Sequence, residues 1–190
     1  MPLGVLFDMD RSKDIEIRLV TLSDLHPWAL QKFNRYQETK RVRYVEKGRY
    51  LYKDDHFVEA WDEHKKLQVV EALRRCIQSG GAVAGAFINN ALVGFASVQN
   101  GFFGKNNEYL ELEYIHVSNE YRHCSIGKKL FELCSRSARE MGALKLYISA
   151  HPAEETQRFY DAMGCVPAIE INEKIYAREP LDIQLERALV

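Results

Sequence analysis

The chain of 190 residues carries 26 Lys and Arg against 27 Asp and Glu, a formal net charge of −1. That balance argues against nucleic acid or an anionic membrane as the main partner and leaves any functional charge to be local. A chain of this length buries about 70% of its unfolded surface as one domain, here residues 1–190, without help from a metal or a disulfide.

Four cysteines, Cys76, Cys124, Cys134 and Cys165, form no C-x-x-C pair. They suit reduced thiols in a cytoplasmic protein and give no reason to expect zinc. The opening MPLGVLF has no basic start and is too short to span a membrane, so residues 1–13 read as a loose lead-in.

Ile15 to Val20 (IEIRLV) alternates apolar and polar residues, which predicts a half-buried strand. Thr21 with Asp24 three residues on, then Pro27, predicts a short helix over TLSDLHPWALQKF with Trp28 and Phe33 in the core. The stretch from Tyr36 to Trp61 is rich in Tyr and in both signs of charge. Gly48 in its middle predicts a hairpin. A helix follows from Asp62 to Ser79, with Leu67, Val70, Leu73 and Ile77 on one face and Gly80 and Gly81 at its end. AVAGAFI and ALVGFASV, split by Asn89 and Asn90, predict a second hairpin. The loop GFFGKNN then offers Phe102 and Phe103 to cap the core or touch a ligand.

Residues 108–141 (EYLELEYIHVSNEYRHCSIGKKLFELCSRSAREM) read as strand, loop and amphipathic helix. Ile126, Leu130, Leu133, Cys134, Ala138 and Met141 lie on one helical face, and Gly142 stops it. Ahead of the helix, RHCSIG crowds backbone amides into the turn at a helix N-terminus, which favours an anion such as a phosphate. Lys128 and Lys129 on the first turn oppose the helix dipole unless a polyanion sits there. In the strand, simple alternation puts Glu111 and Glu113 on one face and His116 on the other. Two neighbouring carboxylates in a partly closed site raise one pKa toward a range useful to a base.

Leu144, Leu146 and Ile148 alternate as a buried strand, and the intervening helix makes it the parallel partner of the first. After Pro152 a helix carries Glu154 and Glu155 at its start and Gly164 at its stop. Past Pro167, AIEIN and DIQLERAL read as final strands with KIYAREP as a hairpin arm between them.

The loop RHCSIG, the strand before it and the later FYDAMGC together resemble the GNAT-type N-acetyltransferase superfamily, whose loop is usually written [QR]-x-x-G-x-[GA]. Arg122 and Gly127 match that pattern, while Ser125 takes the first glycine's place. A left-handed Ser there costs about 1 kcal/mol. The resemblance implies an α/β fold with a mixed, mostly antiparallel sheet and helices on both faces. It implies acetyl-CoA as co-substrate, no metal, and direct attack by an amine of a small molecule or peptide. The backbone of Ile115, His116 and Val117 would run along pantetheine. Arg122, His123, Cys124, Ser125, Ile126, Gly127, Lys128 and Lys129 would hold the pyrophosphate.

By the same resemblance Glu111 takes the place of a glutamate that accepts the acceptor's proton, and Tyr160 that of the acid protonating the departing thiolate. A phenol can make that transfer to a thiolate of pKa about 8.5 to 10 with little loss. The family's pantetheine-binding Asn is replaced by Ala153, so Ser149, His151 or Gln157 would have to substitute. The hairpin from Tyr36 to Trp61 would either cover the core's edge or form an acceptor wall, with Tyr44, Tyr50, Tyr52, Asp54 and Asp55 as its candidates. Acidic residues among aromatic ones would suit a cationic amine. The resemblance leaves open a homodimer through the late strands. The off-pattern Ser125 and Ala153 favour the rival reading, a module that holds an acyl-CoA or a partner without catalysis.

Overall fold

The computed structural model describes residues 15–189, so the lead-in expected over residues 1–13 lies outside them. Nine strands and four helices follow one another among the described residues. Seven of the strands form one sheet in the order β1-β4-β5-β6-β7-β9-β8: β1 Glu16–Leu19, β4 Ala82–Ile88, β5 Ala91–Val98, β6 Tyr109–Val117, β7 Lys145–Ala150, β8 Val166–Pro167 and β9 Ile183–Ala188. All pairings are antiparallel except β6 with β7.

Helices cover both faces. On one, α2 (Ile126–Glu140) sinks Ile126, Leu130, Phe131, Cys134 and Ala138 against Ala84, Ala86, Val98, Leu110 and Leu146, and Tyr160 of α3 (Glu154–Ala162) joins them. Gly94 lets α2 come this close, because a Cβ there would stand 3.0 Å from Ile126 and 3.2 Å from Leu130. On the other face α1 (Glu63–Gln78), capped by Asp62 at the Lys65 amide, buries Val69, Val70, Leu73 and Cys76. The face is rotated from the expected one. Val70 and Leu73 are inside, but Leu67 is 40% exposed.

The remaining strands, β2 (Gln37–Glu46) and β3 (Arg49–Glu59), form the expected hairpin about Lys47 and Gly48, both at positive φ. Its β2 edge is fixed to the loop before α3 by the Arg43 amide on the Pro152 carbonyl (2.8 Å) and a bridge between Val42 and Ala153.

Several expectations fail. No helix forms over 21–33. Asp24 accepts both the amide and hydroxyl of Thr21 and a two-pronged bond from Arg18, holding a turn, and the later bonds run only three residues back. Phe33 is buried as expected, whereas Trp28 is 66% exposed. The segment 168–172 is not a strand, and the proposed arm after it is a helix, α4 (Glu173–Arg178). Asn172 caps it by accepting from the Lys174 and Ile175 amides. Leu144 lies outside β7 and is 66% exposed. Phe103, by contrast, caps the core, stacking on Tyr109 at 5.4 Å.

Candidate active site

The site begins where the parallel pairing stops. β6 and β7 are joined only at Tyr109 with Lys145, Leu110 with Leu146 and Glu111 with Tyr147. Beyond that, β6 continues on β5 as far as Val117 and β7 continues on β9 as far as Ala150. The two strands therefore diverge, opening a wedge whose apex is Glu111. Within β6 the register against β5 slips by one residue at Glu113, since Ser97 faces Tyr114 while Val98 faces Leu112. That bulge overturns the expected placing of His116. It returns Tyr114 and His116 to the face of Glu113, where His116 packs on Trp61 (4.9 Å) and Phe95 (5.6 Å), and leaves Ile115 and Val117 on the α2 face. Burial holds the His116 imidazole neutral, and the cations Arg35 and Arg122 act the same way.

At the wide end of the wedge sits the loop before α2. His123 and Ser125 are both left-handed, at φ 62° and 59°, so the strain expected of Ser125 is present. No backbone acceptor among the described residues answers the amides from Ser125 to Lys128, and the first such bond is Lys129 to the Ser125 carbonyl (3.2 Å). Gly127 lies against the Phe159 ring, which a Cβ would meet at 3.2 Å. Four unanswered amides, an unopposed helix N-terminus and exposed Lys128 and Lys129 fit a diphosphate. Arg122 has another task. Its guanidinium donates to the carbonyls of Val117 (3.3 Å) and Tyr36 (2.8 Å), tying the loop to the chain ahead of the hairpin. Cys124 is partly exposed and unpaired.

Tyr160 lies under this loop between Phe131 (6.4 Å) and Phe159 (5.2 Å). Its hydroxyl bonds to no other described residue and is not among the sealed polar atoms. Burial raises its pKa well above the ordinary phenol value, with Cys165 and Asp182 adding to it. That shift favours the neutral phenol, which can donate a hydrogen bond.

At the apex Glu111 has a partner the sequence did not disclose. Arg178 of α4 bonds to Glu111 and stands 3.6 Å from Glu113, which also receives Gln99. Burial pushes the Glu111 carboxyl up, Arg178 pulls it down, and Glu113 adds a smaller push upward. Along β7, Ser149 donates to Asp182 (3.1 Å) and accepts from Gln184 (3.0 Å). Burial pushes Asp182 up to about 6, partly offset by that bond.

A raised folded pKa means that the native state holds the proton which the unfolded chain has released, so Asp182 costs stability as pH climbs from about 4 to 6. Asp182→Asn is accordingly expected to match the wild type near pH 4 and to exceed it by on the order of 1–2 kcal/mol at pH 7, allowing for partial exposure. Urea melts at the two pH values check this, and a constant difference would refute it.

Of the three proposed stand-ins for the residue at Ala153, Gln157 is wholly buried and donates to the Ala150 and His151 carbonyls, while His151 accepts the Ala153 amide. Both shape the turn. Of the hairpin candidates, Tyr52 receives the Arg43 guanidinium (2.7 Å), which Asp161 of α3 also holds, and Tyr50 lies 4.9 Å from it. Asp54 and Asp55 are exposed. Among the described residues no group of three or more His, Cys, Asp or Glu could hold a metal, and no helix is long and apolar enough to cross a membrane.

Arg35, Glu59, Arg178 and Asp182 are the residues of this region that the sequence reading missed. The pair Asn172-Glu173 ahead of Arg178 is a helix-start signal that could have exposed α4. Nothing in the sequence marks Arg35.

Similar architectures occur in solved structures. A nourseothricin acetyltransferase matches with TM-score 0.67 at 18% identity, covering 94% of this chain and 100% of its own. A Bacillus anthracis str. Ames protein assigned as a streptothricin acetyltransferase, in complex with acetyl coenzyme A, matches with TM-score 0.65 at 16% identity over 93% of this chain and 98% of its own. The PaiA N-acetyltransferase of Thermoplasma acidophilum, in complex with coenzyme A, matches with TM-score 0.56 at 19% identity over 92% and 98%. At such identities the likeness concerns the fold, and no curated protein matches the sequence. The family model of the acetyltransferase (GNAT) family matches residues 35–165, from the hairpin through the wedge and loop to the end of α3, and the chain belongs to that family.

Proposed function

We propose that this acetyl-CoA-dependent acyltransferase delivers the acetyl group to the nitrogen of a small-molecule or peptide amine, by direct attack with both substrates bound together. The observation that carries the reading is the wedge between β6 and β7, with Glu111 at its apex and four unanswered amides at its mouth. Acetyl-CoA, when bound, supplies the activated thioester. The chain's own groups supply the rest.

The amides of Ser125 to Lys128 bind the diphosphate, and the β6 backbone from Ile115 to Val117, freed from β7, offers polar groups along the wedge. Glu111 takes the proton lost by the amine, directly or through water, and the upward push of burial on its carboxyl makes it a better base. Tyr160 presents its hydroxyl to the sulfur as the thiolate departs. No side chain is acylated in this scheme, and Cys124, the partly exposed thiol of the loop, has no role in it.

Isothermal titration of the protein with acetyl-CoA is expected to show uptake that weakens with added salt, as binding through a diphosphate requires. Thioester consumption should then depend on an added amine. Absence of uptake would remove the enzyme reading and leave the architecture alone. Uptake without consumption across a broad amine panel would instead favour the holding module.

A further inference from the structure

Among the described residues Arg35 has two sealed nitrogens without a hydrogen-bond partner. Only 8% of it is exposed, yet its Nε and Nη1 have no hydrogen-bond partner, and Nη2 stands 3.8 Å from Glu59, beyond bonding distance. The guanidinium lies 5.7 Å from the centre of the Trp61 ring, a contact that offers no acceptor in the plane of its N–H groups. Three donors of a buried charge, the Nε–H and the two on Nη1, are thus sealed without an acceptor, an arrangement that is unfavourable unless something answers them. Glu59 Oε2 is likewise sealed without a hydrogen bond, 3.4 Å from His151. Both groups belong to the active-site surround. Trp61 packs on His116 of β6, and His151 is the first residue after β7.

We infer that Arg35 receives a carboxylate of the acceptor, so that the amine acetylated here belongs to a molecule carrying a free carboxylate, such as an amino acid or short peptide. This rests on the acetyl-transfer reading and adds the substrate class to it. A planar carboxylate matches the guanidinium fork in a way a point charge does not. The surroundings disfavour a dianion such as a phosphate, because Glu59, Glu179 and Asp182 share this field. The same acidic groups complement the amine end of the acceptor. A buried cation with carboxylates around it is the pattern an amino-carboxylate requires. Of the other cations that act on His116, Arg122 is committed to the carbonyls of Val117 and Tyr36, and Lys65 is exposed.

The test is a thermal-shift and calorimetric screen of the protein saturated with coenzyme A. It uses the twenty common L-amino acids and a set of dipeptides, each beside its C-terminal amide. The expected result is that at least one free acid binds about ten- to hundredfold more tightly than its amide, the range of a hydrogen-bonded charge. In Arg35→Gln that difference should vanish while coenzyme A affinity is kept. Arg35→Lys, which keeps the charge but loses the fork, should retain part of it and guards against a folding artefact. No free acid binding, equal binding of acid and amide, or a preference that survives Arg35→Gln would each overturn the inference. Coenzyme A uptake is read separately, so the acetyl-transfer reading can stand while this one falls.

Discussion

Tyr160→Phe is expected to lower kcat by about a hundredfold while leaving acetyl-CoA affinity within about twofold and thermal stability nearly unchanged. Each part has its own cause. Stability is spared because the hydroxyl bonds to no other described residue, so its removal orphans nothing and leaves the ring between Phe131 and Phe159. Affinity is spared because the proposed seat of the diphosphate is the run of unanswered amides from Ser125 to Lys128, outside α3. Turnover alone suffers, since a donor to the departing sulfur counts most as negative charge develops there. Burial keeps the phenol protonated throughout the working range, so no alkaline limb from this residue is expected in the wild type below about pH 10. Steady-state kinetics with calorimetry would settle the matter. A parallel fall in turnover and affinity, or none in turnover, would return Tyr160 to the role of a packing residue.

How much of this was legible in the sequence depends on whether local rules or distant partners fix each feature. The loop and α2 were readable from residues 122 to 142, because helix starts, stops and apolar spacing are local. So was the hairpin about Gly48. The parallel pairing of β6 with β7 followed from the strand–helix–strand order, but its stopping after three residue pairs did not. Beyond those pairs β7 keeps only β9 as its partner, a non-local pairing that no short stretch of sequence encodes. The bulge at Glu113 was equally hidden, and missing it put His116 on the wrong face, since one extra residue inverts every later side chain. The turn at 21–33 defeated the helix rule for a related reason: the capping-type residue Asp24 was drawn into a two-pronged bond with Arg18 of the neighbouring strand. Arg178 was lost when α4 was read as a hairpin arm. With it went the recognition that the proposed base is ion-paired.

That ion pair yields the second large effect. Glu111→Gln is expected to reduce kcat about a hundredfold and to abolish the acid limb of the kcat/KM profile, because a neutral amide takes no proton. Arg178→Gln is expected to act differently. Arg178 is the main influence holding the Glu111 carboxyl down against burial, so its loss lets that pKa rise. A base must be ionised to work, so the acid limb should move to higher pH, with activity largely restored above it. A packing role for Arg178 would lower activity evenly at every pH instead. Glu113, which Arg178 also approaches, provides the control: Glu113→Gln removes a nearby negative charge and should shift the limb slightly the other way. If the limb persists in Glu111→Gln, the proton goes elsewhere. Asp182 is then the next carboxylate to test, because it lies on the same side of the wedge as Ser149 and close enough to influence Tyr160.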